Sequence, residues 1–332
     1  MIIRAKSYPR AALIGNPSDG YFGKTIAFVF SNFSAEVVLY QSPELEIMPA
    51  EYDKTMFYGI KELVADVKLY GYYGGIRLLK AAVKAFYEYC ERNKIQLVER
   101  NFTIRYKSDI PYRLGLAGSS AIITACMKAL MSFFSIDIPA PILANLVLSV
   151  EQDELKISAG LQDRVAQAYE CPVYMDFDEK LMQKQGYGYY ERLNADNLQN
   201  IYIAYRRDLS EGSEVVHNNF RERFNYREPD VLTAIEKWKK LTGNVKDRIQ
   251  SGNPDINGFI NENFDIRKAV MTISSLNLKM VELARSVGAS AKFTGSGGAI
   301  IGLYKDENNY TALKKLLNEN DIEVLKPVIV CN

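Results

Sequence analysis

Polar and apolar positions along this chain run in two rhythms. Up to about Leu45 they exchange at short intervals, which predicts strands. Over residues 74–93 the period lengthens, and Ile76, Leu79, Val83 and Phe86 mark one face of a helix bounded by Gly71 and Gly74. Residues 101–107 (N-F-T-I-R-Y-K) alternate again as a strand, and 122–134 are apolar enough for a buried helix. A helix over 140–153 and a short strand over 172–177 follow. The tract 178–200 mixes charge, glycine and tyrosine before an apolar strand at 201–205, so the domain boundary is placed there, giving 1–195 and 196–332. The remainder predicts helices centred near Phe220, Lys237 and Val270, another over 280–287, an apolar strand over 299–304, and a closing helix and strand from Tyr310.

Composition narrows the function classes. A chain of 332 residues exceeds the usual single-domain size, and two packed domains are the default. Forty-one basic against forty acidic residues leave a formal charge of +1 with no block of one sign, which argues against nucleic acid or a membrane surface as partner. Cys90, Cys126, Cys171 and Cys331 lack paired metal spacing and read as reduced core residues. No signal-like opening and no run of eighteen uncharged apolar residues occurs, so a cytoplasmic location is expected.

Two glycine-serine loops carry the candidate chemistry. The first, 115–121 (G-L-A-G-S-S-A), lies between a predicted strand and helix; the second, 294–299, reads T-G-S-G-G-A. Glycine lets backbone approach an anion closely, and a helix start offers free N–H groups and a positive dipole end. The arrangement is shared with Walker-type phosphate sites, but no Lys follows the second glycine, so phosphate must be held another way. The bland alternative for the first loop is a tight turn with serines capping a helix. Tyr187, Tyr189 and Tyr190 cluster in the interdomain tract, where a lid, adenine stacking and ordinary packing are all open readings.

Three segments together resemble the small-molecule kinases named for galactokinase, homoserine kinase, mevalonate kinase and phosphomevalonate kinase, the GHMP kinases. Pro9, Arg10, Leu13, Gly15, Asn16, Pro17, Ser18 and Asp19 resemble the family's first motif, with Asn16 and Pro17 in place of its common Glu-His pair. Pro111 with Gly115, Leu116, Ala117, Gly118, Ser119, Ser120 and Ala121 resembles the second, with one extra residue in the loop. Residues 292–299 are similar to the third. The stretches 15–26, 115–122 and 159–167 look most like the glucuronokinase branch.

That resemblance implies an α+β fold with an N-terminal ribosomal-protein-like βαβ domain, a C-terminal ferredoxin-like domain and the active site between them. It implies ATP-dependent phosphorylation of the anomeric hydroxyl of D-glucuronate, with a mevalonate-type or other sugar kinase, or a nonenzymatic sugar and ATP sensor, as alternatives. Asp163 matches the catalytic base and Arg10 the basic residue beside it. Gly115 to Ser120 and Gly295, Ser296, Gly297 and Gly298 match the phosphate-binding loops. Mg2+ is implied, with Ser120 and Glu151 as ligands and Glu154 as a rival carboxylate one helical turn on. Asn16 and Asp19 fall at the sugar site, and a substrate carboxylate requires a cation, for which Lys24, Arg113 and Arg164 are candidates. The lone His217 cannot by itself build a metal centre or a triad. A monomer or homodimer is expected.

Overall fold

The computed structural model describes residues 1–49, 53, 74–206, 214–252 and 255–331, without the side chains of 214–219. Gly71 lies outside the described residues, and so does the side chain of His217. The chain divides into two compact units, each discontinuous in sequence. One comprises Met1–Tyr8, Phe33–Ile110 and Gly118–Ala159; the other comprises Pro9–Asn32, Pro111–Ala117 and Gly160–Asn332. Both are α+β. The boundary expected at 195/196 falls inside the second unit, in the short turn Ala195–Asn197.

In the first unit, strands β1 (Ile2–Ser7), β4 (Ala35–Gln41), β5 (Glu46–Ile47) and β6 (Phe102–Ser108) form a sheet in the order β1-β4-β6-β5. All pairs are antiparallel except β5 with β6. Helices α1 (Gly75–Arg92) and α2 (Gly118–Phe134) pack on it, and α3 (Ala140–Ser149) packs against both helices. The buried stripe of α1 is Leu78, Leu79, Ala82, Ala85 and Phe86, while Ile76 and Val83 of the expected face are only half-buried. Gly75 begins α1 because Tyr106 leaves no room: a Cβ there would stand 1.9 Å from its ring. Apolar residues recur all round α2, which is therefore buried on most sides. The helix expected over 140–153 is regular to Ser149 and widens into a π turn, Val150–Glu154.

The second unit holds two antiparallel four-stranded sheets. One contains β2 (Arg10–Ile14), β3 (Lys24–Val29), β7 (Val173–Asp176) and β8 (Tyr189–Arg192) in the order β2-β3-β7-β8. Helix α4 (Leu161–Tyr169) packs on it, and α5 (Glu179–Gln185) links β7 to β8. The other contains β9 (Ile201–Arg206), β10 (Lys292–Phe293), β11 (Ala299–Leu303) and β12 (Ile322–Leu325) in the order β10-β11-β9-β12. Helices α8 (Asn257–Val270), α9 (Ser275–Ser286) and α10 (Glu307–Asn318) go with it, while α7 (Pro229–Gln250) packs on β2 and β3 and α6 (Glu214–Asn225) packs on α7. Tyr202, Phe264, Met280, Phe293, Ile300, Leu313 and Leu317 form one core there, and Trp238 centres a second with Tyr21 and Phe220.

Two expectations need correction. The tract 178–200, read as interdomain, lies within the second unit and carries α5 and β8: Tyr190 packs edge-on against Tyr169 and Phe177, and burial pushes its hydroxyl up to about 12. Among the cysteines, Cys90, Cys126 and Cys171 are buried, but Cys331 is exposed.

Candidate active site

Strand β2 is buried throughout, so Arg10 enters the protein interior at 4% exposure. A buried guanidinium must be paired. Its Nη2 stands 2.7 Å from Asp163 Oδ1, and its Nη1 donates to the Thr294 carbonyl. Asp163 lies in the first turn of α4, whose N-cap position belongs to Gly160, so capping does not account for this carboxylate. Arg164 adds a second cation, Nη1 to Asp163 Oδ2 at 3.1 Å, and also donates to the Gly160 carbonyl at 2.8 Å. Burial alone would raise the Asp163 pKa. Arg10 and then Arg164 outweigh it and hold the carboxyl below its usual value, so it is ionised at neutral pH.

Asp19 sits in the 3-10 turn Ser18–Tyr21 that follows β2, beside the start of α4: a Cβ on Gly160 would lie 2.4 Å from its Oδ2. Burial, and next the Asp163 charge, push the Asp19 carboxyl up to about 6 against the opposing pull of Arg10. Two neighbouring carboxylates therefore have separated pKa values, a pattern that accompanies divided acid-base roles.

Asn16 turns inward, 3% exposed. Its Oδ1 accepts from Lys292 Nζ at 2.6 Å, its Nδ2 donates to the Phe293 carbonyl at 3.3 Å, and its own carbonyl accepts from Asn263 at 3.1 Å. Lys292 also donates to Ala12 and Phe293 carbonyls at 2.7 and 2.8 Å, which fills all three of its donor positions. Burial, then Arg267 and Arg10, hold its pKa well below the usual lysine value. The first motif is thereby tied to the strand entering the second glycine loop.

The two loops differ in context. The first leads into α2, whereas the second is the hairpin connection between β10 and β11. Their glycines approach each other: a Cβ on Gly115, at φ +65°, would stand 3.0 Å from the Gly297 carbonyl oxygen, and one on Gly295 would stand 2.5 Å from the Gly115 carbonyl oxygen. Arg113 and Ala117 also hold positive φ, an uncommon strain outside glycine that concentrates at functional segments. Arg10 N–H donates to the Leu116 carbonyl at 3.0 Å and Gln167 Nε2 to the Ala117 carbonyl at 2.9 Å. Arg267, 2% exposed, clamps the second loop from α8, donating to the Gly295 and Ser296 carbonyls at 2.8 and 3.0 Å.

In the first unit, Gly118 opens α2, and Ser119 Oγ donates to Glu151 Oε1 at 2.7 Å. Ser120 and Glu151 are fully buried. Glu154, the rival carboxylate, instead pairs with Lys84 at 2.7 Å. Hydroxyl and carboxylate oxygens are the hard donors that Mg2+ prefers, so Ser120 and Glu151 fit that ion chemically.

The cations named for the substrate carboxylate are differently engaged. Lys24 pairs with Asp176 at 2.8 Å, Arg164 with Asp163, and Arg113 is exposed beside Tyr112. Sequence reasoning placed Lys292 only at the start of the third motif and gave Asn263 and Arg267 no role. Lys292 adjoins the loop and could have been questioned on that ground, whereas Arg267 carries no signal beyond being a basic residue near a helix end.

The model for the N-terminal domain of GHMP kinases matches residues 77–171. Probable glucuronokinase 2 of Arabidopsis thaliana is 38% identical over 308 residues, covering 90% of this chain and 84% of that protein. Glucuronokinase 1 of the same plant is 38% identical over 306 residues, with the same coverage. The solved phosphomevalonate kinase of Streptococcus pneumoniae aligns with a TM-score of 0.75 at 14% identity, covering 99% of both chains, which shows a shared fold.

Proposed function

This chain belongs to the GHMP kinase family, and from that premise we propose that it transfers the γ-phosphoryl group of ATP to the anomeric hydroxyl of D-glucuronate, giving glucuronate 1-phosphate and ADP. The observation that carries the reading is the buried Asp163–Arg10 pair in a chain 38% identical to glucuronokinases over most of its length.

Phosphoryl transfer through a loose transition state asks the protein mainly for positioning and charge neutralisation. Asp163, kept ionised by Arg10 and Arg164, takes the proton of the attacking hydroxyl. Its low basicity suits late acceptance, after the bond to the leaving phosphate oxygen has loosened. Arg10 stands 2.7 Å from that carboxylate and offsets charge on the group in flight. Asp19 accepts hydrogen bonds from sugar hydroxyls. Asn16, with both side-chain groups committed inside the protein, orients the turn that carries Asp19. Residues 115–120 and 295–298 hold the phosphates. Ser120 and Glu151 are the proposed magnesium ligands; the ion, when bound, neutralises the phosphate oxygens. A cytoplasmic monomer or homodimer completes the proposal.

ADP release from ATP and magnesium, measured across glucuronate, galacturonate, glucose, galactose and mevalonate with the phosphorylated position identified, tests the function. Selective turnover of glucuronate at the anomeric position is expected. Turnover confined to mevalonate or neutral sugars replaces the substrate, and ATP binding without turnover of any acceptor points to a sensor.

A further inference from the structure

The geometry points to Arg221 as the residue that grips the carboxylate of the substrate, an inference that rests on the uronate reading above. Helix α6 packs on the Asp19 turn through two rings: Phe220 and Phe224 meet Tyr21 edge-on at 4.9 and 5.0 Å. Arg221, between them in sequence, is carried over the same turn. Its guanidinium carbon lies 5.6 Å from the Tyr21 ring centroid, and its charge bears on the Tyr21 hydroxyl. Gly20, between Asp19 and Tyr21, has no side chain to fill the space: a Cβ there would stand 3.5 Å from Arg221 Nη2.

Neighbouring cations are committed elsewhere. Lys24 holds Asp176, Arg164 holds Asp163, and Arg267 donates both terminal nitrogens to loop carbonyls. Arg223, two residues further along α6, holds Glu228, Asp230 and the Val270 carbonyl. Arg221 is exposed and, among the described residues, meets the ring and the hydroxyl of Tyr21 rather than a carboxylate. In a pyranuronate the carboxylate sits on the carbon across the ring oxygen from the anomeric centre. Its cation must therefore stand near the reacting end without occupying the position of the base. A guanidinium over the turn that carries Asp19 meets this requirement and can bind the carboxylate through two parallel hydrogen bonds.

The experiment compares binding of D-glucuronate with that of its neutral C6 amide, D-glucuronamide, by calorimetry on the full chain with a nonhydrolysable ATP analogue present. The unaltered protein is expected to prefer glucuronate at least about 10-fold, the usual size of a charged hydrogen bond. Arg221→Gln should bring that ratio close to one, and Arg221→Lys should keep part of it. Gly20→Asp, which sets a competing carboxylate beside Arg221 without altering α6, should also lower the ratio. In turnover of glucuronate, Arg221→Gln should raise KM more than it lowers kcat. If the unaltered protein phosphorylates glucuronate while folded Arg221→Gln and Gly20→Asp both keep the full preference, this assignment fails and the proposed function stands. If the unaltered protein neither binds nor phosphorylates glucuronate, both fail.

Discussion

Arg10 and Asp163 are 153 positions apart in sequence, yet an Arg10 terminal nitrogen lies 2.7 Å from an Asp163 carboxylate oxygen, with the arginine almost wholly buried. A salt bridge this deep costs desolvation that a surface pair avoids, and its removal leaves an unpaired buried charge. Asp163→Asn should therefore lower kcat about 10²- to 10⁴-fold. The change should also flatten the acid limb of stability. With a folded pKa below the unfolded value, ionised Asp163 stabilises the protein above pH 4 and loses that contribution as pH falls through the folded pKa. Steady-state kinetics and urea unfolding between pH 3 and 7 check both effects.

Asp19 should behave in the opposite sense. Its folded pKa of about 6 lies above the usual 3.8, so the folded state holds its proton more tightly and stability falls as pH rises through 6. Asp19→Asn should unfold less readily than the unaltered chain at pH 8, by about 2–3 kcal/mol from the pKa difference, and the gain should vanish below pH 4. Ionised Asp19 is the form proposed to accept sugar hydroxyls, so kcat/KM should climb through about pH 6. Loss of that limb in Asp19→Asn, set against an unchanged nucleotide KM, would support the assignment.

Glu151 and Glu154 stand three positions apart but differ in setting. Glu151 is fully buried and accepts from Ser119, whereas Glu154 pairs with Lys84 near the surface. Glu151→Gln should raise the magnesium concentration needed for half-maximal turnover at least about 10-fold, the scale of a lost charged interaction. Glu154→Gln should cost no more than about 1 kcal/mol of stability, as surface ion pairs do. A magnesium titration of each variant separates the two roles.

A methyl group at position 295 has no place to go, since Gly115 backbone oxygen would lie 2.5 Å from it. Gly295→Ala should force the two loops apart, destabilise the protein by about 1–3 kcal/mol, and raise KM for ATP more than KM for the sugar. Initial-rate kinetics with each substrate varied in turn gives the comparison.

Lys292→Met should keep much of the buried volume while taking the lysine donor from the Ala12 carbonyl and Asn16 Oδ1 and leaving the Phe293 carbonyl with Asn16 Nδ2 alone. The expected loss is about 2–4 kcal/mol, since each unmet buried acceptor is costly. Urea denaturation measures it.

Local sequence patterns were sufficient to find most of the elements. Residues 101–107 alternate because β6 buries one face, and the near-continuous apolar run of α2 follows from burial on most sides. Glycine and serine spacing located both loops because only particular backbones can approach an anion. Asp163 and Arg10 entered by family resemblance, and the tertiary structure brought them to bonding distance. The charges and tyrosines of 178–200 show no period, so β8 was not legible there; its pairing with β7 is a tertiary feature. Residue order leaves both glutamates plausible at the metal; only packing buries one and hands the other to Lys84. What Lys292, Arg267 and Arg221 hold was decided by the tertiary structure, because a cation's role depends on which distant carbonyls, rings or carboxylates the folded chain sets around it.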